Sequence, residues 1–183
     1  MPLKPRPLVY VDPEAPQGRL HQMVVRLAGS RLMLWFESTL AWRIFGWRLV
    51  PRLVRLTGGR LSLIPAVRTA LLETKDARNG RPHRRVVIYF HDGERVTIIP
   101  SKGGLPEDPF WYENAMAEPN VVFGGQSFRA ELVLDEAHQA RLWALADRYF
   151  PPYAAYRARA ARSGRRIPIL QLVRTETAQS TAL

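Results

Sequence analysis

Apolar positions change period along this chain. From Arg19 to about Leu56 they recur at helical spacing, interrupted by arginines and by Glu37. Glu37, Arg43 and Arg48 break the run that a transmembrane helix of ~20 apolar residues needs. Pro51 bends or ends a helix, and Gly58-Gly59 stops the next. From Ala66 the apolar runs shorten to strand length. Ala66–Thr74, Arg85–Phe90 and Arg95–Ile99 read as strands, the last two joined by His91-Asp92-Gly93-Glu94, where Asp-Gly signals a hairpin. Asp108 is expected to cap a helix that has Pro109 as its first residue and stops at Pro119. Asn120–Phe123 and Phe128–Leu134 form a second hairpin around Gly124-Gly125. Asp135 is expected to cap the helix Glu136–Tyr149, which carries Leu142, Leu145, Ala146 and Tyr149 on one face. Pro151-Pro152 interrupts it, Tyr153–Ser163 reads as a short basic helix or loop, and Ile167–Val173 as the last strand. Sequential antiparallel strands with interspersed helices predict an α+β fold built on a small closed or half-closed barrel. A Rossmann sheet would need regular crossover helices between its strands.

The pattern divides the chain into a Pro-rich arm or tail (1–18), ordered or not, an Arg/Trp-rich amphipathic helical segment (19–60), a barrel domain (61–174) and a polar tail (175–183). The apolar content of 46% is that of a chain able to bury a core. The net charge of +11 implies acidic partners: nucleic acid, an anionic membrane or a polyanionic cofactor. Most of it lies early, where residues 1–70 hold 11 Lys and Arg against 3 Asp and Glu. No nucleic-acid-binding motif accompanies the charge. Trp35, Trp42 and Trp47, interleaved with arginines, have an interfacial composition, and Arg48, Arg52 and Arg55 share a face if the helix runs through Pro51. This segment is equally readable as a helix pair packed on the barrel. There is no cysteine, which excludes disulfides and thiolate chemistry, and the opening MPLKPRPLVYVDPEAPQG lacks the pattern of a secretory leader. The expected location is cytoplasmic, with a peripheral position on the inner face of the cell membrane if the Trp/Arg segment is interfacial.

Candidate chemistry is concentrated between Thr74 and Val122. Arg78-Asn79-Gly80-Arg81 and His83-Arg84-Arg85 make a basic turn and strand suited to phosphate or carboxylate oxygens, or a solvated hairpin edge. Ser101-Lys102-Gly103-Gly104 ends a strand with donors and with glycines that allow close approach, or is an ordinary loop. Phe110-Trp111-Tyr112 with Asn114 offers a flat apolar surface for a ring, or core packing. His21, His83, His91 and His138 have no paired ligand spacing, so no metal is expected, and no Gly-x-Ser-x-Gly elbow occurs.

Taken together, these residues resemble the deazaflavin-dependent nitroreductase family, whose members use coenzyme F420 on a split β-barrel. The family pattern is roughly T-T-G-R-K-[ST]-G-Q-x-R-x-x-P-L, a hairpin, A-S-x-G-G, then P-x-W-Y-x-N-L-x-A-N-P-x-V. Thr74, Gly80, Ser101, Gly103, Gly104, Pro109, Trp111, Tyr112, Asn114, Ala117, Pro119 and Val121 fall in register with it. Phe150-Pro-Pro-Tyr153-Ala-Ala-Tyr156 looks like the family's aromatic substrate segment, and Arg166-Ile167-Pro168-Ile169 like its final strand. The resemblance implies an FMN-binding-like split β-barrel with N-terminal helices and hydride transfer from F420H2 to a quinone, nitro compound or similar acceptor. It implies cofactor contacts from Ala77, Arg78 and Asn79, from His83, Arg84, Arg85, Val86 and Val87, from Ser101 and Lys102, and from Trp111, Tyr112 and Asn114. It further implies substrate contacts from Phe150, Tyr153 and Tyr156, with Tyr153 first and Ser101 second as the proton or hydrogen-bond donor. Asp76-Ala77 stands where the family has Gly-Arg, so the tail site is expected to carry one cation fewer and one anion more. The competing readings are a split barrel that binds flavin mononucleotide or haem, and a non-catalytic basic module for membranes or nucleic acid.

Overall fold

The computed structural model describes residues 8–16, 18, 21–23 and 67–175. Most of the Trp/Arg-rich segment, the first seven residues and the tail from 176 onward lie outside the described residues.

Six strands close into an antiparallel barrel in the order β1-β2-β3-β6-β5-β4. They are β1 (Thr69–Lys75), β2 (Pro82–Asp92), β3 (Arg95–Ile98), β4 (Asn120–Phe123), β5 (Gln126–Leu132) and β6 (Leu170–Arg174). Closure comes from β1 and β4, where Leu72 faces Phe123 and Glu73 faces Val122. Directly opposed residues share a face. Tyr89, Ile98, Leu170 and Leu132 therefore form one row across four strands, and Val96, Leu172 and Ala130 form another. All of these but Leu132, the exposed last residue of β5, fill the barrel with Leu72, Phe123 and Phe128. Alternate positions such as Phe90, Thr97 and Gln171 point outward.

Part of that outer face is also buried. Helix α2 (Glu136–Tyr149) covers it, with the Phe90 and Tyr149 rings 6.2 Å apart. Asp135 caps α2 as expected, its Oδ1 accepting from the His138 N–H at 2.7 Å. Asp92 fastens α2 to the β2–β3 hairpin by accepting from Arg141, at 2.5 Å, and pairing with His138, at 3.2 Å, and it also accepts from Gln171 of β6. Burial pushes the Asp92 carboxyl up, but Arg141, His138 and Gln171 outweigh it and hold the group below its ordinary value.

Two elements differ from expectation. Helix α1 (Phe110–Ala117) has Pro109, not Asp108, at its N-cap, because the Asp108 carboxylate is bound elsewhere. The double proline does not merely break α2: Pro152 begins α3 (Pro152–Ala161), where its missing N–H costs nothing. Residues 8–16 run along the barrel. Val11 exchanges two hydrogen bonds with His91, and the Val9 carbonyl accepts from the Tyr89 hydroxyl.

Candidate functional site

Candidate residues lie on two loops and on α1, which Asn114 ties to the first loop and which follows the second in sequence. The first loop, Asp76–Arg81, joins β1 to β2. Asp76 Oδ1 accepts from the Arg78 N–H at 2.8 Å, and Asn79 Oδ1 accepts from the Arg81 N–H at 2.9 Å. Both side chains thus shape the turn by the local bonding that makes Asp and Asn turn formers. The Arg78 guanidinium lies over the Phe110 ring, 5.5 Å from its centroid. Asn114, 4% exposed, ties α1 to this loop, its Oδ1 accepting from the Ala77 N–H and its Nδ2 donating to the Thr74 hydroxyl. Trp111 is buried beside it in the core. Tyr112 is partly buried, and burial, then Asp108, raises its pKa against the opposing charge of Arg165.

Period-two alternation divides the basic strand. His83, Arg85 and Val87 oppose Thr74, Leu72 and Ala70 on the inward face. Arg84 and Val86 lie on the other face, and Arg84 pairs with Glu73 at 2.6 Å. The five residues His83 to Val87 therefore do not line one surface. His83 Nδ1 is buried and has no hydrogen-bond partner. Burial, then the charge of Arg85, pushes the His83 pKa down, with Asp76 opposing, so the ring is neutral at pH 7. Burial also lowers the pKa of Arg85.

The second loop carries a 3₁₀ turn, Lys102–Gly104, after Ser101. Ser101 is right-handed helical in φ and ψ, whereas Lys102 (φ 46°) and Gly103 (φ 62°) are left-handed. Lys102 is the one non-glycine residue with positive φ among those described. A right-handed residue followed by a left-handed one turns consecutive N–H groups into a concave anion cradle. Among the described residues the Lys102 and Gly103 N–H groups and the Ser101 hydroxyl have no hydrogen-bond partner. The Lys102 ammonium folds back to Glu107 Oε2 and the Asp108 carbonyl, each at 3.2 Å, leaving one donor. The two glycines differ. A side chain at Gly103 would meet open space, whereas one at Gly104 would strike the Tyr156 carbonyl and Arg159 of α3.

Phe150, Tyr153 and Tyr156 form a buried cluster with Trp143, with ring centroids 5.1 to 6.3 Å apart. Tyr153 is 3% exposed, and burial raises the pKa of its hydroxyl far above the usual range. The sequence reading missed Arg165, whose guanidinium reaches back to the second loop. Nothing local marks it, because its partners lie 57 to 65 positions earlier. Among the described residues no group of three or more acidic or histidine side chains could hold a metal. No described helix is long and apolar enough to cross a membrane.

Residues 47–174 match the model of the F420H(2)-dependent quinone reductase family. The chain is 33% identical over 135 residues to an F420H(2)-dependent quinone reductase of Mycobacterium tuberculosis, covering 69% of this chain and 89% of that one. It is similar in structure to an F420-H2 dependent reductase (28% identity, 57% of this chain and 92% of that one, TM-score 0.49). A second solved structure, described as a domain-swapped dimer, is 25% identical, covers 71% of this chain and 98% of its own, and gives a TM-score of 0.51. The closed six-stranded barrel, the two loops with α1 and the match over residues 47–174 agree: the chain belongs to the F420H(2)-dependent quinone reductase family and is an oxidoreductase whose cofactor is coenzyme F420.

Proposed function

We propose that this chain reduces a quinone, a nitro compound or a similar electron-poor acceptor at the site made by the two loops and α1. Reduced coenzyme F420 supplies the hydride when bound, and the hard chemistry is the cofactor's. The observation that carries the reading is the loop after Ser101. It offers an ammonium donor and, among the described residues, two N–H groups and a hydroxyl without partners around a strained lysine, next to the open side of Gly103. Such a cradle suits a phosphodiester or carboxylate oxygen of a polyanionic cofactor. Arg78 and Arg85 add positive charge on the first loop and β2, and neutral His83 keeps a buried ring nitrogen available for a hydrogen bond. Asn79, Asn114 and Trp111 act through the shape of the loop and α1. Arg84 and Val86, on the other face, are assigned no contact.

Reduction of a quinone needs a proton besides the hydride. The half-exposed Ser101 hydroxyl is the better donor of a hydrogen bond to the acceptor oxygen, since the Tyr153 ring is locked among Phe150, Tyr156 and Trp143. Tyr153 stays protonated and serves the packing of α3. Titration of the full chain with oxidised coenzyme F420, flavin mononucleotide and haem, followed by ring absorbance or fluorescence, tests the reading. Saturable binding of the deazaflavin and reduction of a soluble quinone by its reduced form are expected. Absence of deazaflavin binding at high micromolar concentration overturns the proposal. The interfacial composition around Trp35, Trp42 and Trp47 supports a lipid-soluble quinone met at an anionic membrane surface. Failure to float with anionic liposomes at moderate salt would remove the membrane from this reading and leave a soluble acceptor.

A further inference from the structure

Arg165 follows α3 and belongs to no helix or strand, yet its side chain is only 7% exposed. All its donor nitrogens are used. Nε and one terminal nitrogen hold Asp108 Oδ1 at 2.8 and 2.6 Å. The same terminal nitrogen donates to the Pro100 carbonyl at 2.5 Å. The other donates to the Ser101 carbonyl at 3.1 Å and the Leu105 carbonyl at 2.7 Å. Pro100 and Ser101 precede the 3₁₀ turn and Leu105 follows it, so one rigid, planar group sets the distance between the turn's two ends. One carboxylate neutralises the buried charge, and three carbonyl dipoles satisfy the remaining donors.

The turn needs such a brace. A non-glycine residue in the left-handed region is unfavourable, and Lys102 sits there with φ 46°. The contact of Gly104 with α3 supports the turn from one side only. Without Arg165 the loop ends can separate and Lys102 can relax, dissolving the concavity formed by the Lys102 and Gly103 N–H groups.

We infer that Arg165 is a positioning residue of the cofactor site: its guanidinium clamps the loop from Pro100 to Leu105 so that Lys102 and the adjoining backbone N–H groups are presented to an anionic group of the cofactor. The inference rests on the functional reading above.

The test compares Arg165→Ala, Arg165→Lys and Arg157→Gln in the full chain. Arg157 serves as the stability control, because its bidentate bridge to Asp147 joins α3 to α2 without touching the loop. Arg165→Ala is expected to weaken binding of oxidised coenzyme F420 about tenfold, the population shift that relaxation of one left-handed residue allows. The KM for the quinone should change less than about twofold, since uniform binding of the acceptor is untouched. Trypsin should cut after Lys102 faster in this variant, and millimolar guanidinium should restore the affinity. Lysine can reach Asp108 but cannot span three carbonyls, so Arg165→Lys should keep the fold and still bind the cofactor weakly. Arg157→Gln should lower the melting temperature and leave cofactor affinity unchanged. Wild-type affinity in both Arg165 variants, or an equal loss of affinity in Arg157→Gln, overturns the assignment. A wild-type protein that binds no deazaflavin overturns the functional reading itself and takes this assignment with it.

Discussion

Gly103 and Gly104 are adjacent, both have positive φ, and the geometry separates their roles. At Gly103 (φ 62°) an added Cβ meets nothing within 4 Å. Gly103→Ala therefore pays only for a left-handed alanine, about 1 kcal/mol. At Gly104 (φ 74°) the same atom would overlap the Tyr156 carbonyl oxygen and lie 2.9 Å from Arg159 Cβ. The Tyr156 oxygen is helix backbone and cannot rotate away, so α3 must shift, adding an overpacking cost of about 1–3 kcal/mol. For a chain of this size 1 kcal/mol moves the midpoint by about 2–4 °C, so Gly104→Ala should melt about 2–12 °C below Gly103→Ala. Cofactor affinity should rank the other way per degree lost: the alanine methyl at position 103 projects from the open side of the cradle without displacing α3. Thermal melts of both variants, paired with deazaflavin titration, read the two effects separately. Equal melting temperatures, or a Gly104→Ala protein more stable than Gly103→Ala, would refute the account of why α3 can dock on this loop.

Three further outcomes follow from the same structure. Asn114→Leu strands the Ala77 N–H and the Thr74 hydroxyl and should cost about 2–4 kcal/mol in urea unfolding; a loss below about 0.5 kcal/mol would show that Asn114 does not hold the first loop. His91 has its pKa lowered from 6.5, chiefly by burial, so the free chain takes up the proton first. Its contribution is thus complete above about pH 6.5 and declines as pH falls below that value, so the protection factor of the Val11 amide (its exchange rate relative to the unprotected rate at the same pH) should fall between pH 7 and 5; a constant protection factor would contradict this. Ser101→Ala should lower kcat for the quinone by about tenfold or more, whereas Tyr153→Phe should stay within about threefold; the reverse order would return the donor role to Tyr153.

The parts of the fold governed by near neighbours were legible in the sequence. Asp135 caps α2, and the Asp92-Gly93 turn closes the β2–β3 hairpin, because both depend on residues within a few positions. Partners distant in sequence were not legible. Asp108 has every local mark of an N-cap, but its carboxylate is taken by Arg165, and Pro109 fills the cap position with no side-chain bond. The start of β2 was read three residues late, since Pro82, His83 and Arg84 look like turn chemistry; pairing with Thr74 and Lys75 draws them into the barrel. The division of the basic strand was readable from alternation alone, because Arg84 and Arg85 cannot share a face of one strand. The family pattern, which treats the segment as a continuous string, concealed it.

The pair Asp76-Ala77 shows how residues that depart from a motif can take on a structural role in the same loop. Read by charge alone, Asp76 adds an anion where an anionic tail is expected. In the structure its Oδ1 accepts the Arg78 N–H at 2.8 Å, its carbonyl accepts the Gly80 N–H at 2.7 Å, and its own N–H donates to the Arg81 carbonyl. Ala77, in the position of the missing cation, uses its N–H to anchor Asn114. The pair therefore builds the turn that carries Arg78 and Arg81 and fixes that turn to α1. Asp76 also opposes the effect of Arg85 on His83, moderating the positive potential at the inward end of β2. Where the family pattern has a cation at position 77, this chain has a turn held by Asp76 and Asn79 that carries Arg78 and Arg81. Asp76→Asn would keep the oxygen that accepts from Arg78 while removing the charge, so it should preserve the turn and strengthen binding of the anionic cofactor. If that variant instead bound the cofactor more weakly at unchanged stability, the carboxylate would be part of the recognition surface and not of the turn alone.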